Sequence, residues 1–151
     1  MLRTLQHDPA STGSVAFSPD ESMLLTGGID GTARVWDAAS GDARLVLDTG
    51  GGPVEVAVWT PDGARIVTSS ADGVPRVWDT ATGHLEAELP AHGTWPHLAV
   101  TPDSRHLLTS ADGVVRVWLL DIEALVDLAQ SRLTRELTAT ECDRYGVDSC
   151  R

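Results

Sequence analysis

An all-β body of three repeats, each built from four short strands, is predicted by two ladders of markers and by what is missing between them. Phe17-Ser18-Pro19-Asp20, Trp59-Thr60-Pro61-Asp62 and Val100-Thr101-Pro102-Asp103 recur at spacings of 42 and 41 residues. A second ladder keeps the same register: Asp30-Gly31-Thr32-Ala33-Arg34-Val35-Trp36, Asp72-Gly73-Val74-Pro75-Arg76-Val77-Trp78 and Asp112-Gly113-Val114-Val115-Arg116-Val117-Trp118. A period of about 40 to 45 residues with such markers corresponds to four strands per unit. No segment before residue 120 places apolar residues at helical spacing.

Each unit divides at its turn residues. The first strands are predicted over residues 14–17, 54–59 and 96–100, each ending at a Pro-Asp turn. Second strands follow over residues 23–26, 64–68 and 106–109. An Asp-Gly turn then leads into a third strand that ends in Trp. Residues 44–48 and 85–89 form fourth strands. Residues 2–5 have the same character, a fourth strand with no three before it. Pro75 is out of place in an inner strand, because it lacks a donor, and is tolerable near the strand's start or at a bulge.

With these motifs in place, the chain resembles the WD-repeat family over residues 2–118. The resemblance implies a partial β-propeller of three blades, at about residues 1–48, 49–89 and 90–120. It also implies a hydrogen-bond set that pins the outer strands of each blade: a loop His, a Ser or Thr, the turn Asp and the Trp. The first blade offers His7, Thr26, Asp30 and Trp36, and the third His92, Thr109, Asp112 and Trp118. The second offers Thr68, Asp72 and Trp78, but its loop, Thr49-Gly50-Gly51-Gly52, has no His, which implies a blade pinned less firmly. Trp36-Asp37 and Trp78-Asp79 keep the family's dipeptide, whereas Leu119 follows Trp118, as at the end of an array.

Propellers close with about 4 to 8 blades, so three leave two unsealed faces carrying apolar side chains. Three resolutions are open. The chain is the C-terminal part of a longer propeller, it assembles with copies of itself into a ring of six or more blades, or it docks on another WD-repeat chain. A stable lone monomer is the least expected outcome.

From Asp121 the period changes. Ile122, Leu125, Val126, Ala129 and Leu133 recur at helical offsets behind Asp121 as N-cap, which predicts an amphipathic helix in a tail over residues 121–151. Thr138-Ala139-Thr140-Glu141 fits a capping box for a second, shorter helix. The tail is similar to the closing segment of long actinobacterial multidomain proteins in which WD repeats follow a signalling ATPase or a DNA-binding regulator. That similarity implies a sensor or partner-binding arm of a bacterial signalling protein.

Composition narrows the partners. With 22 acidic against 11 basic side chains the net charge is −11, a field that repels phosphate backbones and anionic headgroups. Neither nucleic acid nor membrane is an expected partner. No apolar run approaches the roughly 18 residues of a membrane span, and a cytoplasmic location is expected. The two cysteines, Cys142 and Cys150, either stay free or form one local bridge.

Catalytic patterns are lacking. There is no Lys for a phosphate-binding Gly-x-x-x-x-Gly-Lys loop, no Gly-x-Ser-x-Gly and no His-Glu-x-x-His. Gly50-Gly51-Gly52 runs into a strand and not a helix N-terminus, so it reads as an inter-blade loop. His84, His92, His97 and His106 lack metal-ligand spacing. Asp20, Asp62 and Asp103 read as turn formers, and Asp30, Asp72 and Asp112 as structural acceptors. No cofactor, metal or enzymatic activity is therefore expected. The expected function is a protein-interaction scaffold, with loops at residues 7–13, 48–53 and 90–95 as contact segments. Trp95, His97, Arg34, Arg76 and Arg116 are candidate partner contacts, although packing between blades is the more expected fate of Trp95, as it is of Trp59. A structural part that merely completes another ring is the alternative.

Overall fold

The computed structural model of the chain describes Leu5, residues 12–94 and residues 96–120. The chain divides after Leu120. The tail helices, His7 and Trp95 thus lie outside the described residues. So does the strand expected over residues 2–5, except Leu5, which is not in a strand.

Eleven strands form three antiparallel sheets. The first is β1 (Thr12–Phe17), β2 (Met23–Gly28), β3 (Thr32–Asp37) and β4 (Ala43–Asp48), hydrogen-bonded in that order. The second repeats the order with β5 (Val54–Trp59), β6 (Arg65–Ser70), β7 (Pro75–Asp79) and β8 (Leu85–Glu88). The third has β9 (His97–Val100), β10 (His106–Ala111) and β11 (Val114–Leu119), so β11 is an outer edge with no fourth strand among the described residues. The expectation of three propeller blades holds, and Pro75 falls where it was tolerable, on the first residue of β7. Its carbonyl still accepts the Leu89 N–H at 2.9 Å.

The Pro-Asp turns share one device. The hydroxyl before the proline donates to the turn aspartate, Ser18 to Asp20 and Thr60 to Asp62 at 2.6 Å and Thr101 to Asp103 at 2.5 Å. The same hydroxyl accepts the N–H of the returning strand, from Met23, Arg65 and His106 at 2.9 to 3.0 Å. One oxygen therefore closes both sides of the hairpin. These bonds hold the Asp20 and Asp103 carboxyls below their ordinary range. At Asp62 burial works in the opposite sense and is outweighed.

Cross-strand partners share a face of a sheet, and the registers assign every face. Ala16, Leu25, Val35 and Leu45 line the face of the first sheet that meets the second, where Trp59, Ile66, Trp78 and Leu85 oppose them. Val58, Val67 and Val77 line the reverse of the second sheet and meet Val100, Leu107 and Trp118 of the third. The Trp-bearing face of each later sheet thus packs on the valine and leucine face of the one before. Burying each such aliphatic side chain contributes about 1.5–3 kcal/mol. A polar tie crosses the first junction, where Ala57 N–H donates to Ser14 Oγ at 3.1 Å.

Candidate interaction surfaces

Each antiparallel meander puts its inter-blade loop and Asp-Gly turn at one end and its Pro-Asp turn and third-to-fourth-strand turn at the other. At the first end the three polar sets differ. In the first sheet Trp36 Nε1 donates to Thr26 Oγ1 at 2.8 Å, and Asp30 accepts Thr32 N–H at 3.0 Å and the Arg34 guanidinium at 2.9 Å. In the second sheet Trp78 Nε1 donates to the fully buried Thr68 at 3.0 Å. Asp72 accepts Val74 N–H at 3.0 Å and takes Arg76 on both oxygens at 2.7 and 3.3 Å. Arg76 also donates to Glu88 at 2.8 Å.

Arg76 is the residue most unlike its expected role. It was a candidate partner contact, yet it is 7% exposed and its guanidinium is bonded to Asp72, Glu88, Ser70 and the Val74 carbonyl. Burial works against its charge, but these bonds outweigh it and raise its pKa. Burial likewise acts to raise the Asp72 pKa, and the bonds from Arg76 and Val74 bring it below the usual value instead. Arg34 is similarly paired, whereas Arg116 is exposed and, among the described residues, donates to the Ala91 carbonyl at 3.2 Å. His97 is exposed on β9.

In the third sheet His92 Nδ1 lies 2.6 Å from Thr109 Oγ1, which accepts Trp118 Nε1 at 2.9 Å. Asp112 does not complete this set: His92 Nε2 is buried with no partner among the described residues. The reason is a residue count. Four positions separate Thr26 from Asp30 and Thr68 from Asp72, but only three separate Thr109 from Asp112. The ladder consequently runs to Ala111↔Val114 and leaves a two-residue turn, with Asp112 at φ 51° and Gly113 at φ 76°. Such a turn places both central residues in the left-handed region and leaves no room for the aspartate to cap the next N–H.

The inter-blade loops are fastened on both sides. His92 N–H donates to the Gly73 carbonyl at 2.9 Å, and Thr49 N–H makes the same bond to Gly31 at 3.1 Å. Thr49, buried, therefore stands where His92 stands in the next loop, and its hydroxyl donates to Gly31 again at 2.9 Å. The glycine run that follows is fitted and not a loose linker. Asp72 N–H donates to the Gly51 carbonyl at 3.1 Å, and a Cβ on Gly51 would overlap the Asp72 carboxylate. A Cβ on Gly73 would overlap the Gly93 carbonyl oxygen. Around these anchors Asp48, Gly50, Gly52, Pro90, Ala91, Gly93 and Thr94 are exposed.

At the other end a groove of about 730 Å³ runs between the first two sheets. Met23, Leu45, Ala64 and Ala81 give it apolar lining, with Asp37, Arg44 and Asp79 around them. Arg44 donates to Asp37 at 2.8 Å, and with the Ser40 N–H it draws the Asp37 pKa down to about 2. Asp37 and Asp79, which follow the two tryptophans, each hold the turn beyond them through N–H groups of Ser40 and Thr82.

Among the described residues no group of three or more His, Cys, Asp or Glu could hold a metal ion, and no helix is long and apolar enough to cross a membrane. Trp59, expected to pack between blades, is buried in the first junction.

Comparison with known proteins places this geometry. The WD domain, G-beta repeat, matches residues 1–37, 45–79 and 83–118, more than two thirds of the chain. Two solved structures described as the WD40 repeats of RRP9 and as U3-55K resemble it, each with a TM-score of 0.70 and 18% identity. Each match covers 78% of this chain and 38% of the neighbour, so the chain spans about two fifths of the length of those structures. No curated protein sequence matches it. Domains of this kind are generally protein-interaction scaffolds. The chain belongs to the WD-repeat family and forms three blades of a partial β-propeller.

Proposed function

We propose that the chain is a non-catalytic module that binds a protein partner through its inter-blade loops, as the sensor or docking arm of a larger cytoplasmic bacterial signalling protein. The carrying observation is the construction of those loops. One buried residue, Thr49 or His92, ties each loop to the turn of the preceding blade while its neighbours face solvent. Loops held in one conformation lose little entropy when they bind, so exposed residues on a stiff frame give affinity at low cost. The side chains that could otherwise act in acid–base chemistry, Asp30, Asp72 and His92, are engaged in holding the blades. The larger context rests on the tail's similarity to multidomain signalling proteins and on the chain spanning 38% of the neighbours' length. The alternative, a purely structural part that completes a ring with another chain, is favoured by the edge of β11, which pairs with no fourth strand among the described residues.

A photo-crosslinking residue at Thr94 or Asp48, with Ser40 at the opposite end as control, separates the two in cells that express the chain. Loop binding gives a discrete protein adduct from Thr94 and Asp48 and none from Ser40. Equal labelling from all three positions, or none from the loops, contradicts it.

A further inference from the structure

We propose that the groove between the first two sheets binds an extended segment of a partner protein in which an aliphatic side chain is flanked by arginine or lysine. This site lies at the opposite end of the sheets from the inter-blade loops, so it goes beyond the role proposed for them. Its volume of about 730 Å³ falls in the range of pockets that take a ligand. The apolar lining is particular to this junction. Met23 and Leu45 stand on the first sheet where the same registers put Arg65 and Ala87 on the second. Positions that the repeat leaves free to be polar or small therefore carry two large apolar side chains under an open groove.

A smaller recess of about 180 Å³ shares Met23 and Gly63 with the groove. Its wall includes Trp59, which is 8% exposed and whose Nε1 has no hydrogen-bond partner among the described residues. Thr80, in the wall of the groove, likewise keeps a buried hydroxyl without a partner there. A buried donor left unsatisfied is costly, and an extended segment brings backbone carbonyls that accept from such groups. Met23 belongs to both linings, and its unbranched side chain can turn aside to admit them. Charge then selects the occupant. Asp20, Asp37, Asp62 and Asp79 line the two spaces with one cation, Arg44, which is bonded to Asp37. Arg65, whose charge also acts on Asp62 and Asp79, is itself bonded to Glu86 at 2.6 Å. Carboxylates are thus in excess around an apolar floor, an arrangement that draws in basic segments and repels acidic ones.

NMR on the 151-residue chain, labelled at its methionine methyls and indole nitrogens, tests this. The probe is a pool of pentapeptides with arginine or lysine on either side of a central leucine, isoleucine, valine or methionine. The expected result is a saturating shift of the Met23 methyl and the Trp59 indole, with the Trp36 and Trp118 indoles unmoved. Pools with flanking glutamate or with a central serine are expected to move neither. Asp62→Asn and Asp79→Asn keep an oxygen for the turn N–H groups of Ala64 and Thr82 and remove the charge. Each is expected to weaken affinity about two- to fivefold. Ala81→Trp, at an exposed turn position of the lining, is expected to abolish the shifts while strand content by circular dichroism stays that of the parent. No shift at Met23, or an equal response to the glutamate pool, overturns the proposal. So does a peptide-free chain whose Met23 methyl shows nuclear Overhauser contacts with residues 121–151 or shifts with protein concentration alone, since the chain itself or a second copy then fills the groove. Crosslinking from Thr94 and Asp48 does not depend on these outcomes, and Ser40 is not among the residues lining the groove, so either reading can fail without the other.

Discussion

The second and third blades carry nearly the same motif, Thr-Ser-Ser-Ala-Asp-Gly-Val-Pro-Arg-Val-Trp against Thr-Ser-Ala-Asp-Gly-Val-Val-Arg-Val-Trp, yet they are held by different polar groups. In the second a buried arginine binds the turn aspartate and Glu88 of the fourth strand. In the third a buried histidine binds the threonine, and the arginine lies on the surface. One missing residue in the turn and one residue swapped in the loop account for the change. The repeat fixes where strands and turns go, while which polar side chain locks a blade is decided locally by reach and by the residue opposite.

Removing the indole at the heart of each lock is the harshest way to separate the blades. Trp78 is buried in the first junction, whereas Trp118 is only half-buried against the second. Trp78→Ala is expected to lower unfolding free energy in urea by about 3–5 kcal/mol, and Trp118→Ala by roughly half as much. Equal losses would mean that the two junctions are packed alike.

The arginine lock yields next. Arg76→Met leaves Asp72 and Glu88 without their cation and is expected to cost about 2–3 kcal/mol at neutral pH, below the full buried-pair value because Glu88 is largely exposed. Arg116→Met is expected to stay within about 0.5 kcal/mol of the parent. The pH dependence has a definite sign. Asp72 has a depressed pKa in the folded chain, so its contribution is complete above 3.8 and is lost as pH falls through the lower folded value. The gap between parent and Arg76→Met should therefore narrow in acid, and urea unfolding at a series of pH values measures it. A gap independent of pH would mean that Arg76 acts through packing alone.

The smallest effect sharpens the comparison from the other side. Inserting a serine after Ser110 gives the third blade the spacing of the second, and it is expected to bring Asp112 to Arg116 with a gain of about 0.5 kcal/mol. A double-mutant cycle between those two residues reads the coupling, which should be absent before the insertion and present after it.

The strands were legible because turn chemistry marks their ends. Asp20, Asp62 and Asp103 stand two residues after a hydroxyl that closes each hairpin, and Pro75 fell at a strand start as its missing donor requires. The Trp–Thr pairs were legible from the motif as well. The fate of Arg76 was not, since Arg-Val-Trp reads identically in all three blades. What differs is the residue across from the arginine, Glu88 in the second sheet and Val46 in the first. The detachment of Asp112 did leave a signal: Thr68 to Thr109 spans 41 residues but Asp72 to Asp112 only 40. The histidine-free loop pointed to a weaker second blade, and the substitutes, Thr49 and Arg76, lie too far apart in sequence for a motif to link them.

The most direct test of the stacked, tryptophan-pinned sheets is hydrogen exchange at the indole N–H groups, followed by NMR. Trp36, Trp78 and Trp118 are each expected to exchange far more slowly than a free indole, and Thr68→Val is expected to release Trp78 alone. Rapid exchange at all three, or release of all three by that one substitution, would contradict sheets that are locked one by one.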